Sequence, residues 1–364
     1  MTVGFFSPLP PARTGVADYA SVLLRHLRRH GRVDIAPSTN VDVSLYHLGN
    51  NQLHASIYER ALRTPGVVVL HDAVLHHFCL GAMTRDRYVE EFVYNYGEWT
   101  RGLADSMWRT RARSAADHRY FAYPMLRRIC ETSRAVIVHN PAAAQMVRAH
   151  AAARVVEIPH LFEPRPAASS AEIETIRRGL GVNRRTLLAG IFGYLRESKR
   201  VLPVLRAFRR LPGGRAVLLF AGDSGSSDLT RAMQPFLSDG HVRRLPYTPG
   251  PQFWRIAQAT DLCINLRSPA AGETSGITIG FMGIGRPVMV TAGEEVSKFP
   301  EAACIRIDTG AGEEAAIEEM TRWLIAMPQH ARDIGRLAAG HIAAHHAPDR
   351  VADLYWQTLE TARS

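Results

Sequence analysis

Glu273 is the single acid in a polar, Gly-rich stretch, Asn265-Leu-Arg-Ser-Pro-Ala-Ala-Gly-Glu-Thr-Ser-Gly276, that leads from an apolar strand into a short helix starting near Ser275. Free backbone N–H groups at a helix start bind phosphate, and the helix dipole favours negative charge there. A carboxylate just upstream is badly placed for phosphate and well placed to accept hydrogen bonds from sugar hydroxyls. The turn therefore reads as a site for a phosphorylated sugar. An ordinary βα turn with a solvated Glu fits the local sequence equally well, because Gly-rich turns are common.

Three further segments carry candidate chemistry. Leu70-His-Asp-Ala-Val-Leu-His-His77 puts His71 and Asp72 at the carboxyl end of a strand, where α/β sheets bind ligands. His71 could hydrogen-bond a sugar hydroxyl or a developing charge, and Asp72 could orient it or receive a proton. His76 and His77 read as histidines satisfied by their neighbours. Ile191-Phe-Gly-Tyr-Leu-Arg-Glu-Ser-Lys-Arg200 holds Lys199, one of only two lysines in the chain with Lys298. A cation there would stabilise a leaving diphosphate, with Arg196 assisting. Arg200 reads as part of a solvated basic face. The loop Ser7-Pro-Leu-Pro-Pro-Ala-Arg-Thr-Gly15 brings a glycine to a helix start, where a ligand can approach the backbone closely.

Several alternatives lack their motif. There is no Gly-x-Gly-x-x-Gly, no Gly-x-x-x-x-Gly-Lys-Ser/Thr and no Gly-x-Ser-x-Gly, which argues against nicotinamide, P-loop and serine-hydrolase chemistry. No Asp-x-Asp occurs, so the simplest Mg²⁺-diphosphate site is missing and side-chain cations and helix starts are left to hold phosphate. His341 and His345 are four apart, but no acid accompanies them, and surface histidines are the simpler reading. The four cysteines show no metal-ligand spacing, and Cys263 reads as core.

These residues need a scaffold of alternating strands and helices. Strands are expected at 3–6, 43–47, 67–70, 135–138 and 155–158, then at 187–192, 216–220, 241–245, 261–265 and 287–290. Helices are expected at 17–29, 53–63 and 142–149, between the later strands, and from 313 onward, with a break at Pro348 and a last helix at 350–362. The stretch 85–133 reads as a mostly helical insertion rich in aromatics and Arg. The Pro-rich segment 164–170 reads as a linker. The fold class is α/β: two Rossmann-like doubly wound domains facing across a cleft, 1–163 and 171–346, with the helix 347–364 packing back on the first.

The 364 residues are 46% hydrophobic and 21% charged, as in globular proteins. The net charge of +10 is nearly all Arg and spread along the chain. No aromatic–basic interleaving of the RNA-binding type is present, so nucleic acid is not an expected partner. The chain shows no apolar run long enough for a membrane span and no signal-peptide pattern at its start, and cytoplasmic residence is expected.

Taken in this order, the segments resemble the GT-B retaining glycosyltransferases of family 4, in a bacterial branch. The likeness rests on Ser7-Pro-Leu-Pro-Pro-Ala-Arg-Thr-Gly15, Tyr46-His-Leu-Gly-Asn-Asn51, the segment ending in His71-Asp72, Gly193 through Lys199, the Gly272-Glu-Thr-Ser-Gly276 stretch and Gly285-Arg-Pro-Val288. The resemblance implies transfer of a sugar from a nucleotide-diphosphate donor to an acceptor hydroxyl with retained configuration. It implies no metal and no cofactor, and a glycan, lipid or small molecule as acceptor. Because family acceptors include lipids, peripheral contact with the inner membrane face is a further expectation. Glu273 matches the acid that contacts donor-sugar hydroxyls, and the backbone phosphate contacts fall at Ser275, Gly276 and Ile277. Two positions depart: Phe281 stands where the family has a ribose-binding acid, and Tyr194 where it has an Arg. A GT-B-like sugar-nucleotide epimerase and a non-catalytic relative are the alternatives.

Overall fold

The computed structural model describes residues 1–38, 40–238, 240–248 and 250–363. The chain divides into two compact units: Met1–Glu163 with Pro269–Thr274 and His345–Ser364, and Pro164–Ser268 with Ser275–Ala344.

The first unit is built on β1 (Thr2–Phe6), β2 (Arg32–Ile35), β3 (Val43–Leu48), β4 (Val67–Leu70), β5 (Ala135–Val138) and β6 (Val155–Glu157). Their order is β2-β1-β3-β4-β5-β6, and every neighbouring pair is parallel. The central strands read VSLYHL, VVVL and AVIV, with every residue buried, as strands covered on both faces must be. β2 was not anticipated. It is an edge strand reading RVDI, with exposed ends, so it shows no apolar run.

The second unit holds β7 (Leu187–Phe192), β8 (Ala216–Ala221), β9 (Val242–Leu245), β10 (Leu262–Asn265), β11 (Val288–Thr291) and β12 (Ile305–Ile307). The order β12-β11-β10-β7-β8-β9 is again parallel throughout and is the Rossmann order. The three-residue β12, another edge strand, lies outside the expected strands.

Local chemistry sets the helix starts. Thr14 caps Gly15–Leu27, Asn140 caps Pro141–His150, and Ser169 forms a capping box with Glu172 at Ser170–Gly179. The insertion 85–133 is helical as expected, with helices Arg85–Tyr96, Arg101–Thr110 and Arg127–Thr132. The last helix, Pro348–Thr361, packs on Gly15–Leu27 within the first unit. Val351, Tyr355 and Leu359 share a core with Tyr19, Leu23 and Leu27, and the Tyr19 and Tyr355 hydroxyls are 2.9 Å apart. Among the described residues no helix is long and apolar enough to cross a membrane.

Candidate functional site

Sheets of this kind bind ligands beyond the strand carboxyl ends, at the point where strand order reverses. In the second unit that point lies between β7 and β10. The segment leaving β7 carries Arg196 and Lys199, and the segment leaving β10 runs toward Ser275. A hydrogen bond from Ser268 N to Ser198 O, 2.8 Å, ties the two together.

Ser275 is the N-cap of the helix Gly276–Gly283, and its Oγ accepts from Thr278 N. Asn265, the last residue of β10, donates through Nδ2 to Ser275 Oγ and to Thr278 Oγ1, both at 2.7 Å. The cap is thus fixed by the strand before it. Among the described residues the N–H groups of Ser275, Gly276 and Ile277 meet no acceptor. They form an open N-terminus suited to an anion.

Lys199 lies at the same strand end but points inward. It is 5% exposed, its ammonium donates to Phe192 O, and a Cβ on Gly193 would stand 3.4 Å from Nζ. Arg196 is exposed, with its guanidinium 5.5 Å from the centre of the Tyr194 ring. Arg200 departs from expectation. It holds Glu313, only 2% exposed, through Nε at 2.9 and 3.0 Å and through Nη2. The solvated face expected of Arg200 is instead a partly buried ion pair, because residue 313 arrives from a helix more than a hundred positions away. Phe281 is fully buried against Phe192, with ring centres 4.6 Å apart, and belongs to the core.

The first unit gathers His71, Asp72 and Glu273. Asp72 Oδ2 accepts from Asn50 N at 2.8 Å, which ties the end of β4 to the end of β3. Ala73 N donates to Ala271 O at 2.8 Å, so the residue after Asp72 holds the Glu273 turn. Within that turn Glu273 Oε2 accepts from Ala271 N at 2.7 Å. Gly272 has φ +69°, and a Cβ there would lie 2.8 Å from the Ala73 methyl, so only glycine fits. Gly15, the first residue of its helix, is exposed and faces open space.

Other residues contribute that are not among the expected site residues. Asn140, at the carboxyl end of β5, donates through Nδ2 to Gly272 O and Thr274 Oγ1, both at 2.9 Å. His139 beside it was open to the same argument as His71: a histidine at a strand end, followed by a polar residue. His47, on β3, sits with its Nδ1 2.9 Å from His71 Nε2. Burial pushes the pKa of His47 down to about 3 and that of His139 to about 4, and burial and the neighbouring imidazoles push that of His71 down as well. These rings are neutral at pH 7. Arg267 follows β10 by two positions, and with Lys199 it acts on the buried Cys263 thiol to favour the thiolate, against the dominant upward push of burial. His76 is satisfied as expected, by Tyr123 O and the Tyr88 hydroxyl. All four cysteines are buried.

No protein-family model and no curated protein sequence matches the chain. Solved structures do. Anabaena HepE in complex with UDP-glucose matches with a TM-score of 0.67 at 15% identity, over 99% of this chain and 100% of that one. Sucrose-phosphate synthase from Thermosynechococcus elongatus matches with a TM-score of 0.67 at 14% identity, over 99% and 98%. WaaG, a glycosyltransferase involved in lipopolysaccharide biosynthesis, matches with a TM-score of 0.61 at 12% identity, over 97% and 99%. At such identities the likeness speaks for architecture, and with the two six-stranded parallel sheets it gives the chain the GT-B fold of these glycosyltransferases.

Proposed function

We propose that the chain is a retaining glycosyltransferase that moves a sugar from a nucleotide-diphosphate donor to an acceptor hydroxyl without a metal or cofactor. The observation that carries this reading is the β7/β10 switch point, flanked by Lys199 on one side and by the open helix start at Ser275, Gly276 and Ile277 on the other. That pairing suits a diphosphate, and Anabaena HepE, of the same architecture, has been solved in complex with UDP-glucose.

In this reading the helix start, Lys199 and Arg196 stabilise the leaving diphosphate, and Gly15 lets it approach the backbone. Glu273 accepts hydrogen bonds from sugar hydroxyls, and His71 and Asp72 lie near the reacting carbon. The acceptor oxygen forms its bond to the anomeric carbon on the face from which the phosphate oxygen leaves. The acceptor proton passes to the departing phosphate, so no second carboxylate of the glycosidase kind is needed. Since Phe281 is buried, ribose recognition falls to other residues. The same buried Phe281 favours the rival reading of a relative that binds nucleotide and transfers nothing.

A panel of UDP-, GDP-, dTDP- and ADP-sugars in EDTA tests this. One donor should raise the melting temperature and release nucleoside diphosphate. Glu273→Ala and Lys199→Ala should each lower turnover about 100-fold or more, the scale for losing a group aimed at transition-state charge. If no donor binds, or both variants match wild type, the transferase reading fails. Binding without turnover selects the non-catalytic one. The acceptor is proposed to be a glycan, a lipid or a small molecule. Trp99, 83% exposed, and the exposed Arg109, Arg111 and Arg113 support peripheral contact with an anionic membrane. Salt-sensitive binding to phosphatidylglycerol vesicles is expected, and indifference to them would remove that contact.

A further inference from the structure

His47 and His71 stack with ring centres 5.2 Å apart and planes 21° apart, and His47 Nδ1 lies 2.9 Å from His71 Nε2. One nitrogen must donate and the other accept. The far side of His47 decides which. His47 is fully buried, and its Nε2 is closed off from solvent with no hydrogen-bond partner among the described residues. Were the shared proton on His71 Nε2, neutral His47 would carry its own proton on Nε2 and bury an N–H with nothing to accept it. With the proton on His47 Nδ1, only a lone pair is left bare at Nε2. Orphaned buried N–H groups are rarer and costlier than under-used acceptors. The second arrangement prevails.

His71 then has its Nε2 lone pair filled and its proton on Nδ1. That nitrogen makes no hydrogen bond among the described residues and is not one of the atoms sealed from solvent. The ring cannot turn freely. Tyr19 packs edge-on at 5.0 Å and His139 lies at 5.2 Å. The Tyr19 hydroxyl is engaged with Tyr355, and His139 Nδ1 with Ile158 O. Neither competes for His71.

We propose that His47 is a positioning residue that fixes the tautomer of His71, so that His71 meets the donor sugar through Nδ1–H as a hydrogen-bond donor and never as a base. This rests on the reading of His71 as a residue near the transferred sugar, and it narrows the role open to it. The basic nitrogen is occupied, so proton removal from the acceptor falls elsewhere.

The test uses the full chain with ¹⁵N-labelled histidine. Nitrogen spectra assigned with His71→Asn should show His71 protonated on Nδ1, and a nitrogen–nitrogen coupling across the hydrogen bond should place its proton on His47. His47→Phe keeps a flat ring and removes the donor. Its His71 should shift toward the Nε2-protonated form, and its affinity for UDP-glucose should fall about tenfold while that for UDP stays unchanged. A wild-type proton on His71 Nε2 overturns the proposal, whether or not His47→Phe folds. An unchanged tautomer in folded His47→Phe does so too. If wild type binds none of the UDP-, GDP-, dTDP- and ADP-sugars but the tautomer is as stated, the donor reading has failed and the fixing of His71 by His47 stands.

Discussion

Gly272 shows how much one residue carries in this site. Its positive φ and the 2.8 Å approach that a Cβ would make to Ala73 leave no room for a side chain, and the next residue is Glu273. Gly272→Ala should destabilise the first unit by about 1–3 kcal/mol, from left-handed strain together with the clash. It should also lower kcat/KM for the donor well beyond what the lost folded fraction explains. Denaturant titration and steady-state kinetics on one preparation separate the two effects. A variant with normal kcat/KM would show that the turn can move without disturbing Glu273. Neighbouring residues were legible to different degrees. Glu273 stood out as a lone acid in a turn. His47 did not, because nothing in a β-rich run distinguishes a packed histidine from one that touches another histidine across the sheet.

At the scale of elements, Asn140 has two tasks that one substitution separates. Its Oδ1 caps the helix Pro141–His150 by accepting from Ala143 N, and its Nδ2 holds the Glu273 turn. Asn140→Asp keeps the acceptor and removes the donor, leaving a carboxylate against Gly272 O. The helix should persist, stability should fall by about 1–3 kcal/mol for the lost bonds, and KM for the donor should rise. Circular dichroism, thermal unfolding and kinetics read the three. In the second unit, Arg200 and Glu313 join the start of the helix Val201–Arg209 to that of Glu313–Ala326. Removing the guanidinium strands a buried carboxylate. Arg200→Met should cost about 3 kcal/mol, at the low end for a broken buried pair because Arg200 is itself 28% exposed. Adding Glu313→Gln should recover much of that loss. If the double variant is no more stable than the single, the pair is not what holds these helices.

The whole molecule concentrates its acid sensitivity in one unit. His47, His54, His76 and His139 are all buried in the first unit. Burial is the leading cause that lowers them, to about 3, 4, 3 and 4 from an ordinary value of 6.5. Below that ordinary value the unfolded chain takes up protons that the folded unit refuses. Stability is therefore complete above about pH 6.5 and falls as pH drops toward 4, by up to about 1.4 kcal/mol per pH unit for each histidine. Against a total stability of about 5–15 kcal/mol, the first unit should unfold between pH 6 and pH 4. Denaturant titrations across that range, read by a probe in each unit, check this. A first unit as stable at pH 4.5 as at pH 7 would contradict the burial of these rings.

The α/β class, every inner strand and the order of the chemical segments are legible in the sequence alone. The reason is local: a strand covered on both faces must be a short apolar run, and several helices start at a capping side chain such as Thr14, Asn140 or Ser169. β4 and β5 were read from VVVL and AVIV with no knowledge of their neighbours. The short strands β2 and β12, RVDI and IRI, are interrupted by charged residues and carry no such run. Which residues meet is set by the folded arrangement. The contact of Arg200 with Glu313, the capture of the Glu273 turn by Asn140 and Ala73, the burial of Phe281 on Phe192, and the hydrogen bond between His47 and His71 each join residues far apart in the chain. Such contacts follow from strand order and packing, and no local pattern encodes them.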